Sequence, residues 1–360
     1  MAFIIKKELI RYLKNPLYYI GAVLVFLLAY LQCQTYLTVR YFQPDASIAD
    51  LSGAELVDVG IMDGYLPAVP DGSLGAGLER LRRELVNEMG MDEEEVARLI
   101  RTVESRAMDQ AQAIAYLESE LPFMAEVTSF FYPPEGLKKG TPEELNAYIR
   151  AALERENYAA YFGRKYIDYL GVGLFPYMLV LFAFLAVYDY RKDMYELLHT
   201  KPVPAWKYIL GKGLGGSLAV FLALAAMTAV FDVLLAAAAK KASFPVNLLE
   251  IWSYAGVFAV PVVLYAAMSY LFCCGLFRTP LPAIPALFLQ YFYSNMMQGR
   301  DQTGVLRYVQ SPLYILMRFP EEFFETEPLR MMHYRCQGLL LLLAAAFAVL
   351  TAALWKRRSL

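Results

Sequence analysis

The chain has 360 residues, of which 58% are apolar or aromatic and only 19% charged, against roughly 45–50% and about 25% in ordinary soluble domains. With four cysteines and a net charge of −2, these proportions exclude a disordered chain, a collagen-like repeat, a disulfide-built scaffold and a basic nucleic-acid binder. What remains is a polytopic membrane protein.

The average hides two regions. Residues 39–167 hold 23 Asp/Glu against 13 Lys/Arg, a net of −10, whereas the other 231 residues hold 12 acidic and 20 basic side chains, a net of +8. One acidic, water-soluble insert therefore interrupts a basic, membrane-embedded remainder. This gives three parts: 1–38, 39–167 and 168–360.

In chain order, the first element is an amphipathic helix. Phe3, Ile4, Ile5, Leu9, Ile10 and Leu13 fall on one side and Lys6, Lys7, Arg11 and Lys14 on the other, the pattern of a helix lying at a membrane surface. About 20 mostly apolar residues are needed to cross a hydrocarbon core. Leu17–Thr38 meets this as span 1. Its apolar run is too long for a signal-peptide core and no A-x-A site follows, so it is expected to stay attached.

The insert reads as helical. Leu74, Leu78, Leu81, Leu85 and Met89 recur at spacings of three and four. A second helix is expected from Asp92, with Glu95 completing a capping box. It carries Val96, Leu99, Ile100, Val103, Ala107, Ala111 and Ile114 on one face and runs to about Glu120. A third is expected at Thr141-Pro142-Glu143-Glu144, an N-cap followed by Pro at N1 and Glu at N3, continuing through Tyr158 and Tyr161 into the next span. Residues 123–140 read as an aromatic, Pro-rich loop. No cysteine falls in 39–167, so packing alone holds the insert. A bond between Cys33 and Cys336, both near the same surface, is disfavoured but open.

Five further spans follow: about Tyr169–Tyr188, Gly213–Ala238, Trp252–Cys274, Pro282–Met297 and Gly338–Trp355. Asp232 lies within the third span, where an intramembrane carboxylate is a functional candidate by default, although its place near the end lets it reach water. Between spans 2 and 3, residues 189–212 mix charge with an apolar ridge of Tyr195, Leu197, Leu198 and Trp206, edged by Glu196 and Lys201. Such a ridge suits docking into a groove on a soluble partner; as a plain basic loop it would only set topology. Residues 298–335 read as a re-entrant or interfacial pair of short helices, since the apolar run 308–320 is too short to cross.

Basic residues cluster before span 1, in 189–212, at Arg278 and at the C-terminus. The positive-inside rule then places both termini in the cytoplasm and the insert outside; Lys240 and Lys241 run against it. No phosphate-binding G-x-x-x-x-G-K-[ST] loop, H-E-x-x-H, cysteine cluster or G-x-S-x-G elbow is present. Glu321-Glu322 lacks the arginine and histidine motifs of the intramembrane CAAX-type proteases.

Taken together, the amphipathic N-terminus, the six spans, the link Glu196-Leu-Leu, Thr200-Lys-Pro202-Val203 and Tyr208-Ile-Leu-Gly211-Lys212, and the 298–335 segment resemble the permease subunits of ABC-2 type ABC transporters. The likeness implies an all-α membrane protein with six transmembrane helices and a helical extracytoplasmic domain between helices 1 and 2. It implies no enzymatic activity and no cofactor in this chain, ATP and Mg being bound by a separate ATPase subunit. It further implies a second permease (homo- or heterodimer), the plasma membrane as location, and Tyr195, Glu196, Leu197, Leu198, Lys201, Pro202 and Trp206 as the coupling element. The expected activity is export of a peptide, antibiotic or other amphipathic or cationic compound. The alternatives are a mechanotransmitter, or a sensor or immunity protein acting through its insert without transport. An ion-coupled carrier would need several ionisable residues at the midplane, and only Asp232 comes close.

Overall fold

A computed structural model describes residues 1–44, 48, 61–68, 74–121, 127–131, 136–187, 203–300, 306–308, 313–319, 323–324 and 331–357. Their contacts divide the chain into two compact units, Met1–Tyr41 with Asn146–Met297 and Tyr308–Leu360, and Phe42–Leu145 with Gln298–Arg307.

The first unit is a bundle of long apolar helices. It opens with α1 (Ala2–Leu13), which stops at Lys14. Asn15 then starts α2 (Pro16–Cys33) by accepting the Leu17 N–H at 3.0 Å, with Pro16 at the first helical position. A 3-10 turn, Gln34–Thr38, follows. The rest of the bundle is α8 (Tyr158–Val187), α9 (Ala205–Ala242), α10 (Leu249–Phe277), the short α11 (Ala283–Ser294) and α12 (Met331–Arg357). Five helices among the described residues are long and apolar enough to cross a membrane: α2 with its 3-10 turn, α8, α9, α10 and α12. The protein is thus an all-α membrane protein. The expected span at 282–297 is the twelve-residue α11, about 18 Å long at 1.5 Å per residue and shorter than the bilayer core. Pro280, Pro282 and Pro285 deny its N-terminal side the donors a longer helix needs.

Apolar side chains also mark the surface the bilayer covers. On α2, Leu17, Ile20, Val23, Leu24, Leu27, Leu28 and Leu31 are exposed, whereas Tyr18, Val25, Ala29 and Cys33 are buried. Lipid tails are as apolar as leucine, so burial gives these helices little reason to associate. Tyrosine hydroxyls supply one. Tyr18 donates to the Ala219 carbonyl at 2.9 Å, Tyr177 to Tyr18 at 3.0 Å and Tyr270 to Leu179 at 2.6 Å, each from one helix to the backbone of another. Pro176 inside α8 has no N–H, which strips the Val172 carbonyl of its helical donor. The Tyr291 hydroxyl of α11 fills that vacancy at 3.2 Å.

The second unit is small and mixed. It contains β1 (Tyr65–Ala68) paired antiparallel with β2 (Gly136–Lys139), Tyr65 opposite Lys139. Its helices are α3 (Leu74–Arg83), extended by a π-helical turn Glu84–Glu88, α4 (Glu93–Ser105), α5 (Gln110–Glu120) and α6 (Thr128–Phe131). Leu78, Leu81, Leu85, Val96, Val103, Leu117 and Phe131 form its core. A second short strand pair, β3 (Met297–Arg300) with β4 (Leu306–Tyr308), precedes the last part of the chain.

The single helix expected over 92–120 is two. Asp92 makes no side-chain cap, and the capping box forms instead at Asp109, whose carboxylate accepts the Gln112 N–H at 2.8 Å. Ala107 turns the chain with φ +46°. The break resets the helical phase, so Ala113 and Leu117 are buried in the core with Ile114 packed against it, whereas Ala111 is exposed. The box at Thr141 forms as expected and opens α7 (Pro142–Arg155): the Glu144 N–H donates to Thr141 Oγ1 at 3.3 Å and the Thr141 N–H to Glu144 Oε2 at 3.0 Å. The expected continuation into the next span is broken at 156–157, where Asn157 caps α8 by accepting the Ala160 N–H at 3.1 Å. The four cysteines are all free thiols.

If Tyr291 satisfies the proline-freed carbonyl, Tyr291→Phe leaves it unpaired and costs about 1–3 kcal/mol. Thermal unfolding of the detergent-solubilised protein will show a lower midpoint than Tyr293→Phe, a change at a neighbouring exposed tyrosine.

Candidate functional site

The described residues place buried charges at both ends of α8. Tyr12 of α1 donates to the Leu181 carbonyl at 3.5 Å, which sets α1 near the C-terminal end of α8. Asp168 lies thirteen positions earlier, about 20 Å along the helix axis.

At the end near α1, Glu8 is buried. It pairs with Arg11 at 3.3 Å and with Lys212 of α9 at 3.5 Å. Lys212 itself is only 1% exposed. These groups sit this deep because glycines let the helices close on each other. A methyl at Gly215 would lie 2.7 Å from Glu8 Cβ and 3.0 Å from the Ile5 carbonyl oxygen, and one at Gly211 would lie 3.1 Å from Ile4 Cβ. Gly211 and Gly215 form a small-xxx-small pair, the spacing that allows close helix contact in lipid. The face assignment expected for α1 is therefore corrected. Glu8 and Tyr12 point inward with Ile4 and Ile5 at the interface, Arg11 is drawn to Glu8, and Phe3, Ile10, Lys6, Lys7 and Lys14 are exposed together. A sequence-only helical wheel misses this because it gives no weight to glycine on the partner helix.

At the other end, Arg164, Lys165 and Asp168 are all buried within α8. Arg164 forms an ion pair with Glu156 and donates to the Tyr254 hydroxyl at 3.2 Å, with Tyr161 stacked 4.8 Å away. Lys165 sits 5.3 Å above the Tyr36 ring. Asp168 Oδ2 accepts the Phe319 N–H at 2.9 Å, and Arg318 Nε lies 3.0 Å from Oδ1, off the hydrogen-bonding direction. All three lie within the first three turns of α8, buried charges that the sequence did not lead one to expect there. The expected boundary at 167 put Arg164 and Lys165 in the soluble insert and left Asp168 just ahead of the expected span at Tyr169. The legible signal was their spacing: 161, 164, 165 and 168 make one polar stripe with no breaker before the apolar run.

Asp168 holds an irregular segment. Residues 313–319 have no helix, yet Tyr314, Ile315, Leu316, Met317 and Phe319 are all buried. Non-helical backbone at this depth is tolerated when protein satisfies it. Here Gln290 donates to the Leu313 carbonyl at 2.7 Å, Ser294 Oγ accepts the Ile315 N–H at 3.0 Å, and Asp168 takes Phe319. A cavity of about 30 Å³ lies between this segment, α8 and α10, lined by Ile167, Leu174, Phe258, Val262, Met317 and Gln337 among others.

Asp232 is on α9, where its Oδ2 accepts the Trp252 indole N–H at 3.1 Å. The carboxylate links α9 to α10. Of the coupling residues, Tyr195, Glu196, Leu197, Leu198, Lys201 and Pro202 lie outside the described residues. Trp206 opens α9 half exposed, with the Lys207 ammonium 5.4 Å above its ring. Among the described residues no group of three His, Cys, Asp or Glu could hold a metal ion. No family model matches the chain, and no curated protein or solved structure matches it either.

Removing one member of a buried ion pair costs about 3–5 kcal/mol because the other charge is stranded. Asp168→Ala should therefore release residues 313–319. A cysteine placed at Leu316, in a background with the native cysteines replaced, will react with maleimide faster in Asp168→Ala than with Asp168 intact. Adding Arg318→Ala to Asp168→Ala will recover part of the lost stability.

Proposed function

We propose that this chain is the membrane permease subunit of an ATP-driven ABC exporter, alternating between inward- and outward-facing states under the control of separate ATPase subunits. The observation that carries the reading is the junction of α1 with α9. The link 189–204 leads directly into α9, and within its first three turns α9 is pinned to α1 by Gly211, Gly215 and the Lys212–Glu8 pair. A force applied to the link by a soluble partner would move α9 and α1 as one piece. Trp206, half exposed at the start of α9, is available to such a partner. No catalytic group or bound nucleotide is needed in this chain, because the energy enters through the contact.

Chain direction supports six crossings with both termini cytoplasmic. The end of α10 lies beside the end of α12, where a methyl at Gly275 would be 3.3 Å from Thr351 Cγ2. Trp355 stacks on Tyr208 at 4.9 Å, at the α1 end of α9. Since α10 and α12 finish at the same face, the stretch between them must return across the unit, by way of α11 and 313–319. In this reading the unit of Phe42–Leu145 is extracytoplasmic, 313–319 lies at the outer end of the substrate path, and a second permease copy completes the pore. The buried charges of α8 are all partnered by protein, which favours a structural role over ion coupling. A mechanotransmitter acting through the 39–167 region would share the ATPase contact but move no substrate.

Three outcomes test the reading. The chain will co-purify with a soluble ATPase. Combined Glu196→Lys, Leu198→Ala and Trp206→Ala changes will uncouple stimulated ATP hydrolysis from substrate efflux in proteoliposomes; unchanged complex formation and stimulation would refute the coupling assignment. Gly215→Leu, which wedges α1 off α9, should lower transport while leaving ATPase binding in place.

A further inference from the structure

The exposed stripe of α1 is not used by any contact described above. Phe3, Lys6, Lys7, Ile10 and Lys14 recur at spacings that put them on one face, and all are exposed, Phe3 by 78% and Ile10 by 40%. The helix has one acid, Glu8, and it is turned inward onto Lys212 and Arg11. The outward stripe therefore carries three positive charges and no negative one, with two apolar side chains among them. Its depth is fixed, because Asn15 alone separates Lys14 from Pro16, the first residue of the span, and the Tyr19 hydroxyl ties back to the Leu13 carbonyl at 2.8 Å. The stripe thus sits at the headgroup level of the leaflet that α2 enters.

We propose that this stripe is a binding surface for anionic phospholipid headgroups, with Lys6, Lys7 and Lys14 contacting the phosphate and Phe3 and Ile10 entering the acyl boundary. Lysine is a point charge suited to phosphate, and apolar neighbours on a basic face give the surface its depth in the interface. Because α1 is packed through Ile4, Ile5 and Glu8 onto Gly211, Gly215 and Lys212, lipid charge at the stripe biases the position of α9. This goes beyond the exporter reading and does not rest on it, since it requires only that the chain be membrane-embedded.

The test uses the full-length chain in neutral detergent micelles, without any ATPase. Dansyl-labelled phosphatidylglycerol and dansyl-labelled phosphatidylcholine are titrated separately, and energy transfer from the tryptophans is read; Trp206 and Trp355 lie at the α1 end of the bundle. Half-saturation by phosphatidylglycerol is expected at a concentration at least about fivefold lower than by phosphatidylcholine, with the gap closing as salt is raised. The combined Lys6→Gln, Lys7→Gln and Lys14→Gln variant should bring the two lipids to within about twofold, whereas Lys240→Gln with Lys241→Gln should leave the gap intact. The single Lys14→Glu variant, placed after the α1–α9 contact, gives the same readout if the triple variant does not fold. Equal binding of the two lipids by the wild-type chain overturns the proposal, as does a gap that survives the α1 variants or disappears with the Lys240/Lys241 changes. Protection of Lys6, Lys7 and Lys14 from acylation in pure phosphatidylcholine nanodiscs only when a soluble protein is bound would make the stripe a protein interface and also overturn it.

Discussion

Inside a hydrocarbon layer no water is available to pair a polar group, so every buried donor, acceptor and charge must find its partner in the protein. The bundle depends on this constraint. Leucine and valine faces on α2 and α12 turn to lipid and contribute little to helix choice, while the contacts that specify which helix touches which are polar. Tyr18 and Tyr270 reach carbonyls on neighbouring helices. Tyr291 occupies the carbonyl that Pro176 releases, so a helix defect and the docking of α11 become one interaction.

The same constraint explains how an irregular segment can be buried among membrane helices. Residues 313–319 lack the internal hydrogen bonds of a helix and would be costly in lipid. Gln290, Ser294 and Asp168 meet their backbone groups from three sides. Asp168 is in turn affordable because Arg318 stands beside it on the segment it holds. Carboxylate and segment thus stabilise each other, and neither would be stable at this depth alone.

At the far end of α8 the solution is different, since backbone proximity does the work. Glycines at 211 and 215 remove the side chains that would keep α1 away from α9. Once the backbones approach, Glu8 and Lys212 are forced together and desolvated as a pair. The pairing leaves the other lysines of α1 facing outward, so the inward contact decides the chemistry of the outward face.

Hydropathy and spacing alone determined the membrane class, the positions of α2, α8, α9, α10 and α12 to within a turn or a few turns, and the Thr141–Glu144 cap. These follow from local rules: a run of apolar residues long enough to cross, and a capping pair three residues apart, mean the same thing wherever they occur. Tertiary structure alone decided the rest. It broke the helix that starts after Asp92 at Ser105 and began a second one with a capping box at Asp109. It turned Glu8 inward. It also set Arg164 and Lys165 inside the bundle rather than in the acidic insert to which a charge count assigned them, and buried Asp168 one turn on. For the buried charges the outcome rests on a partner far away in the chain, Gly215 for Glu8, Arg318 for Asp168 and Tyr254 for Arg164, and no local pattern encodes a partner that only folding brings near.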